Sequence, residues 1–164
     1  MRKLGRHQVE RRLEAIIASV TDAGVRLTPQ RLEVFRVLAG SEEHPTAEVV
    51  FRQVQKRMPT ASLDTVYRTL WRLHDLGVVA TLGSSSSGVR FDPNSDKHHH
   101  FICTQCELVK DFESEALDAL VLPDEVRRFG SVKDAQVEVR GLCVACQRKA
   151  RKKSNQKVKK RNAK

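Results

Sequence analysis

No stretch of the chain approaches the roughly 20 consecutive apolar residues that a membrane-crossing helix needs, which excludes a membrane span of that kind. Met1 to Val20 mixes charged and apolar residues throughout, without an uninterrupted apolar core. No secretory signal is read there, and the protein is expected in the cytoplasm, with no membrane partner. No cysteine stands alone. All four fall in two C-x-x-C pairs, Cys103-Thr-Gln-Cys106 and Cys143-Val-Ala-Cys146. In a reducing compartment such pairs point to metal ligands rather than disulfides. No H-x-E occurs anywhere, and Ile102 and Leu142, not Pro, precede the pairs, so the nucleobase-deaminase arrangement is missing. With no general base beside a closed cysteine site, the chain does not read as an enzyme. Residues 147–164 contain no Asp or Glu, and apart from the cysteine pairs there is no internal repeat.

What is present has an uneven charge. The 164 residues suit one domain or two small ones, and 40% hydrophobic content is enough for ordinary cores. The formal net charge of +10 suggests nucleic-acid binding. Ten Lys/Arg lie in residues 147–164, however, leaving 1–146 with twenty charges of each sign. The tail has almost no apolar content and is expected to be disordered, either simply solvated or in nonspecific contact with DNA phosphates. A zinc-stabilised RNA-binding protein using this tail is the competing class; it would lose nearly all affinity without residues 147–164.

Val9, Leu13, Ile16, Ile17 and Val20 recur at helical spacing, with Gly24 as C-cap. Thr28-Pro29 opens a second helix with Leu32, Phe35 and Leu38 inward, closed by Gly40. A third follows His44-Pro45, with Thr46 as cap and Val49, Val50 and Val54 inward, ending near Met58-Pro59. A fourth starts at Ser62. Leu63, Val66, Leu70 and Leu73 line one face, and Asp64, Thr65, Arg68, Thr69 and Arg72 the other. Val78–Leu82 and Val89–Phe91 around a Gly/Ser turn predict a hairpin, and helices followed by a hairpin give a winged-helix arrangement. Pro93 to Asp96 reads as a linker. Beyond it, His99–Cys103, Leu108–Phe112 and Val137–Val139 read as strands, and Glu115–Arg128 as an amphipathic helix through Leu117, Leu120 and Val121, interrupted at Pro123.

Four thiolates brought together make a closed tetrahedral site for zinc. The 36 residues between Cys106 and Cys143 exceed the usual ribbon spacing of about 15–20 and fit a strand–helix–strand unit pinned at both ends. A redox disulfide pair is the alternative. His98 and His100 stand two apart on a predicted strand, so both project to one face, as two imidazoles for one ion require. His99 points the other way and reads as surface. Asp92 and Asp111 supply nearby oxygen. On the fourth helix, Thr65, Tyr67 and Arg68 are candidates for base contacts: Arg pairs with guanine, and Tyr or Thr touches a thymine methyl. Core packing beside Val66 is the other reading of Tyr67.

Residues 9–146 resemble the ferric uptake regulator superfamily. The matching stretches are Gly24-Val-Arg-Leu-Thr-Pro-Gln-Arg31, His44-Pro-Thr-Ala47, Ser62-Leu-Asp-Thr-Val-Tyr-Arg68, Arg90-Phe-Asp92, His98-His-His-Phe-Ile-Cys103 and Gly141-Leu-Cys-Val-Ala-Cys146. The resemblance implies an α+β chain: a winged-helix DNA-binding domain (1–92), a hinge (93–97), an α/β dimerisation and metal-binding domain with a four-cysteine zinc site (98–146), and the basic tail (147–164). It implies structural zinc on Cys103, Cys106, Cys143 and Cys146, and regulatory Fe2+ or Mn2+ on His44, Asp92, His98, His100 and Asp111. Tyr67 and Arg68 become major-groove readers, Arg26 a minor-groove contact, and the partner a palindromic operator bound by a homodimer. Asp at 111, where iron-sensing members carry Glu, and Asp at 92 match the peroxide-sensing pattern, in which iron-catalysed oxidation falls on a His ligand, here His44 or His98. An iron-responsive repressor without that chemistry is the alternative. Many relatives hold a further metal through a histidine near the second C-x-x-C; residues 101–164 contain none, so no such site is expected.

Overall fold

Helix α1 (Arg6–Asp22) turns Ile16 and Val20 inward and stops where Gly24 takes φ +67°. There the Val25 N–H bonds the Val20 carbonyl at 3.0 Å and the Gly24 N–H the Thr21 carbonyl at 2.9 Å, the paired bonds of a Schellman end. The computed structural model describes residues 4–41, 43–85, 88–94, 96–133 and 135–161. Two units are separated after Asp96, inside the segment read as a hinge. No helix among the described residues is long and apolar enough to cross a membrane.

In the first unit α2 (Pro29–Ala39) begins as the sequence predicts, with Pro29 in its first turn and the Thr28 hydroxyl accepting from the Arg31 N–H at 3.3 Å. α3 (Ala47–Gln55) and α4 (Leu63–Asp75) follow, the latter capped by Ser62, whose hydroxyl accepts from the Thr65 N–H at 3.1 Å. β1 (Ala80–Ser85) and β2 (Gly88–Asp92) form an antiparallel hairpin, with a register shift between Leu82 and Ser84. Phe35, Leu38, Leu70, Leu73, Val34, Val50, Val54, Val66 and Phe91 are fully buried together. At about 1.5–3 kcal/mol for each large apolar side chain, this is an ordinary self-sufficient core. Four positions depart from the helical pattern. Leu32, Val49 and Leu63 are only partly buried, and Thr69 is buried, its hydroxyl donating to the Thr65 carbonyl at 2.7 Å, which lets a polar residue sit inward. α4 ends as α1 does, with Gly77 at φ +68°, the Val78 N–H on the Leu73 carbonyl (2.9 Å) and the Gly77 N–H on the His74 carbonyl (2.8 Å). Gly77→Ala would meet open space but a disfavoured backbone, so it should lower the thermal stability of this unit by about 1 kcal/mol, measured as a shift of its melting transition.

The second unit is a three-stranded sheet in the order β4-β3-β5. β3 (His99–Cys103) pairs antiparallel with β4 (Val109–Phe112) and parallel with β5 (Glu138–Gly141). The single interrupted helix is instead two: α5 (Glu115–Asp118) and α6 (Asp124–Phe129), with Pro123 as the N-cap residue of α6. Leu120 falls between them and Val121 is 85% exposed, so the apolar stripe read there is not a buried face. The expectation of disorder from residue 147 also fails. α7 runs Val144–Arg161, while 162–164 lie outside the described residues. The segment contains neither Gly nor Pro, its Ala, Lys, Arg and Gln are strong helix formers, and its first turn is fixed by Cys146.

Candidate metal centres

The hydrophobic cluster of the second unit consists of Cys103, Cys143 and Cys146, with Phe101 and Leu108 packed against it. β3 delivers Cys103 and the turn after it Cys106, while the chain leaving β5 delivers Cys143 and the first turn of α7 Cys146. One ligand sulfur from each lies within 4.8 Å of all the others, and no disulfide joins them. Cys106 Sγ and Cys143 Sγ stand 3.7 Å apart, against the ~3.8 Å edge of a tetrahedron with Zn–S near 2.3 Å. The four residues therefore fit zinc, which would tie β3 to β5 and α7. Backbone donors prepare the site. The Cys143 N–H points at Cys103 Sγ (3.3 Å), and with the Cys106 N–H it lowers the Cys103 thiol to about 6. Burial, reinforced by the neighbouring cysteines, pushes Cys146 up to about 12. Filling the site at neutral pH therefore releases protons, so zinc affinity falls as pH falls.

The second ligand set divides between the two units. In the first, His44 Nε2 and Asp92 Oδ1 lie 3.5 Å apart and both residues are buried. Their pairing follows from local stitching. Thr46 forms a bridge with Arg90, the Phe91 N–H donates to the Pro45 carbonyl at 3.0 Å, and the Arg90 guanidinium donates to the His44 carbonyl at 3.1 Å. Asp92 Oδ1 also accepts from the Asn94 N–H at 2.8 Å. In the second unit the predicted alternation holds. His98 and His100 share a face, with their Nε2 atoms 2.8 Å apart and rings edge-on. Asp111, directly opposite His100 in the β3/β4 register, places its oxygens 3.8 Å from His100 Nε2 and 4.0 Å from His98 Nε2. Two ligands of one ion with bonds near 2.1 Å are separated by about 3.0 Å (cis) to 4.2 Å (trans), so each group suits part of an N/O coordination shell for Fe2+ or Mn2+.

His99 does not lie at the surface. Its face of β3 is covered by Phe112, whose ring centroid is 5.5 Å away, and only 1% of the residue is exposed. The Val137 N–H donates to His99 Nδ1 at 3.3 Å, leaving the proton on Nε2, which faces Asp118 Oδ1 at 3.4 Å. Lys97 reaches the same carboxylate at 3.5 Å. His99 thus braces β3 against the approach to β5 and the end of α5. The alternation correctly put it opposite His98 and His100; the only available sign that this face is covered was the helix following β4.

On α4 two of the candidate base readers, Tyr67 and Arg68, carry acidic partners. The Tyr67 hydroxyl donates to Glu48 Oε1 at 2.5 Å, which lowers the Glu48 carboxyl and raises the Tyr67 phenol. Tyr67 is half-buried against the core with its hydroxyl bound, so packing and polar roles coexist. The exposed Arg68 guanidinium pairs with Asp64 one turn earlier. Thr65 is half-buried at the capped end of α4. Arg26 is exposed, and its carbonyl accepts from Arg31 at 2.7 Å.

A winged-helix unit joined to a cysteine-clasped sheet that presents His and Asp ligands defines a class, the metal-dependent transcription regulators. Residues 22–139 match the ferric uptake regulator family, and the chain belongs to that family. The peroxide-responsive repressor PerR of Staphylococcus aureus is 36% identical over 141 residues, covering 86% of this chain and 95% of that protein. The ferric uptake regulator of Helicobacter pylori has the same fold, with a TM-score of 0.68 and 24% identity over 90% of this chain and 97% of its own. A zinc uptake regulator solved with zinc and DNA is 25% identical, with a TM-score of 0.58 over 85% of this chain and 95% of that one. The chain is a metalloregulator of the repressor kind.

Proposed function

We propose that the protein is a cytoplasmic, homodimeric, metal-dependent repressor that releases a palindromic operator when peroxide oxidises one of its own metal ligands. The observation carrying this reading is the donor set of the two units, His44 with Asp92 and His98 with His100 and Asp111, in which both carboxylates are Asp. The 36% identity with a peroxide-responsive repressor supports the same choice. One regulatory Fe2+ or Mn2+ takes these five residues as ligands, and structural zinc takes the four cysteines. An ion that prefers one arrangement of its ligands biases the chain toward the DNA-binding form. Arg26, Thr65, Tyr67 and Arg68 meet the DNA. Dimerisation through the second unit is supported by its exposed Val121, Phe129 and Val144, and by Val139 on edge strand β5.

His44 and His98 are the residues that would gain oxygen. One oxygen atom of peroxide is transferred to an imidazole carbon and the other leaves as water. The Fe2+-loaded protein, treated with low peroxide, is expected to release DNA and gain the mass of one oxygen on His44 or His98; the Mn2+-loaded protein should do neither. Retained DNA with an unchanged mass would leave an iron-responsive repressor without peroxide chemistry.

A further inference from the structure

Helix α7 is built as no packed helix is. Between Gln147 and Arg161 only Ala150 and Val158 are apolar, so it has no stripe with which to join a core. It carries nine Lys/Arg and no acidic residue over 18 positions. Arg148 and Lys152 are like charges four apart, and Arg148/Arg151 and Lys149/Lys152 three apart, spacings at which helical neighbours repel one another. Arg148, Lys149, Arg151 and Lys152 are exposed. Intrahelical repulsion of this sort is relieved by an extended polyanion. The helix is also anchored, because Cys146 belongs to both its first turn and the cysteine cluster. Arg148, Lys149, Arg151 and Lys152 therefore project from a fixed base instead of trailing on a coil.

We propose that α7 is a second DNA-binding element, a zinc-anchored rod that grips duplex phosphates without reading sequence. This rests on the reading above that the chain binds duplex DNA, and it adds a surface outside the winged-helix unit. The rod is about 27 Å long, so it can run beside about eight base pairs' length of phosphates. With one side engaged, three or four lysines and arginines neutralise phosphates, worth about three units in the slope of log affinity against log salt. A membrane surface is the poorer fit, since an interfacial helix needs an apolar face.

The test compares the full chain with a chain ending at Gln147, which keeps all four cysteines, and with a full-length variant carrying Arg148→Gln, Lys149→Gln and Lys152→Gln, which preserves helix propensity. Binding to a random-sequence duplex and to a duplex selected by the chain from a random pool is measured between about 50 and 200 mM salt. Both variants should bind both duplexes at least tenfold more weakly at the low-salt end. The truncated chain should show a slope shallower by about three, and both should keep the full chain's ratio between selected and random DNA. Unchanged slopes and affinities in zinc-replete variants would overturn the proposal. So would a loss confined to single-stranded RNA or to anionic vesicles. A full chain that selects no duplex at all overturns the DNA reading itself, whereas a truncated chain that binds selected and random duplexes with the full chain's affinity and salt slope overturns only the rod.

Discussion

Cys146→Ser is expected to unfold residues 97–161 while the first unit keeps its own melting transition. The reason is a disproportion in what each unit buries. The first unit has fully buried Phe35, Leu38, Leu70, Leu73 and Phe91. The described apolar core of the second consists of three cysteines and Val109, with two partly buried neighbours. A structural zinc contributes about 10–16 kcal/mol at neutral pH, as much as the whole net stability of a typical domain. Losing one ligand leaves little to offset the entropy of ordering the segment. Amide exchange should show residues 99–112 and 138–141 losing protection together, with less than one zinc bound per chain. A zinc-depleted Cys146→Ser protein whose second unit stays protected would show that the sheet stands without the metal. Chelation of the wild-type protein should reproduce the substitution, and prior oxidation of the thiols should not restore the fold.

His100→Ala is expected to lower Mn2+ affinity more than ~100-fold, beyond the 10–100-fold that removing a mere partner of a ligand costs. His100 is completely buried, shares its position with His98 and lies opposite Asp111, so no neighbouring side chain can take its place. Mn2+ is the suitable probe because it binds such N/O sites without peroxide chemistry complicating the reading. The same variant should retain its cysteine-bound zinc and lose metal-dependent DNA affinity. His99→Ala is the contrast: it removes the brace to Asp118 and Val137 and should lower thermal stability, while Mn2+ affinity falls less than about tenfold. Wild-type Mn2+ binding by His100→Ala would remove β3 from the regulatory site. Equal losses in both variants would mean that the strand, not the ligand, was damaged.

Much of the first unit could be read directly because its signals are local. Thr28-Pro29, Ser62, Gly24 and Gly40 each act on backbone within a few residues, and the predicted helix boundaries follow them closely. The cysteine cluster was legible because ligand chemistry leaves few alternatives to four paired thiols. The errors came where the outcome depended on distant chain. His99 was misplaced because period-two alternation says which face a residue takes, not what covers that face; Phe112 and Asp118 do so. Leu120 and Val121 looked like a core stripe, but Pro123 divides the helix that would have carried them. Charge density suggested a coil after residue 146, whereas the helix begins inside the cysteine cluster and continues through residues of high helix propensity. The acidic partners of Tyr67 and Arg68 differ in kind. Asp64 stands four residues before Arg68, at ordinary helical spacing, while Glu48 is reached only through the packing of α3 against α4.

The stitching between the His44 loop and β2 has a mechanical consequence. Thr46, Pro45 and His44 are each tied to Arg90 or Phe91, so the loop cannot shift along the strand without breaking backbone pairing. His44 and the end of the wing therefore behave as one stiff bracket, like two plates riveted at several points. Whatever grips His44 and Asp92 grips the root of the wing as well, and a fraction of an ångström imposed there cannot be absorbed by slack in the loop. Chemical damage to that single imidazole would act directly on the end of β2 at Arg90 and Phe91.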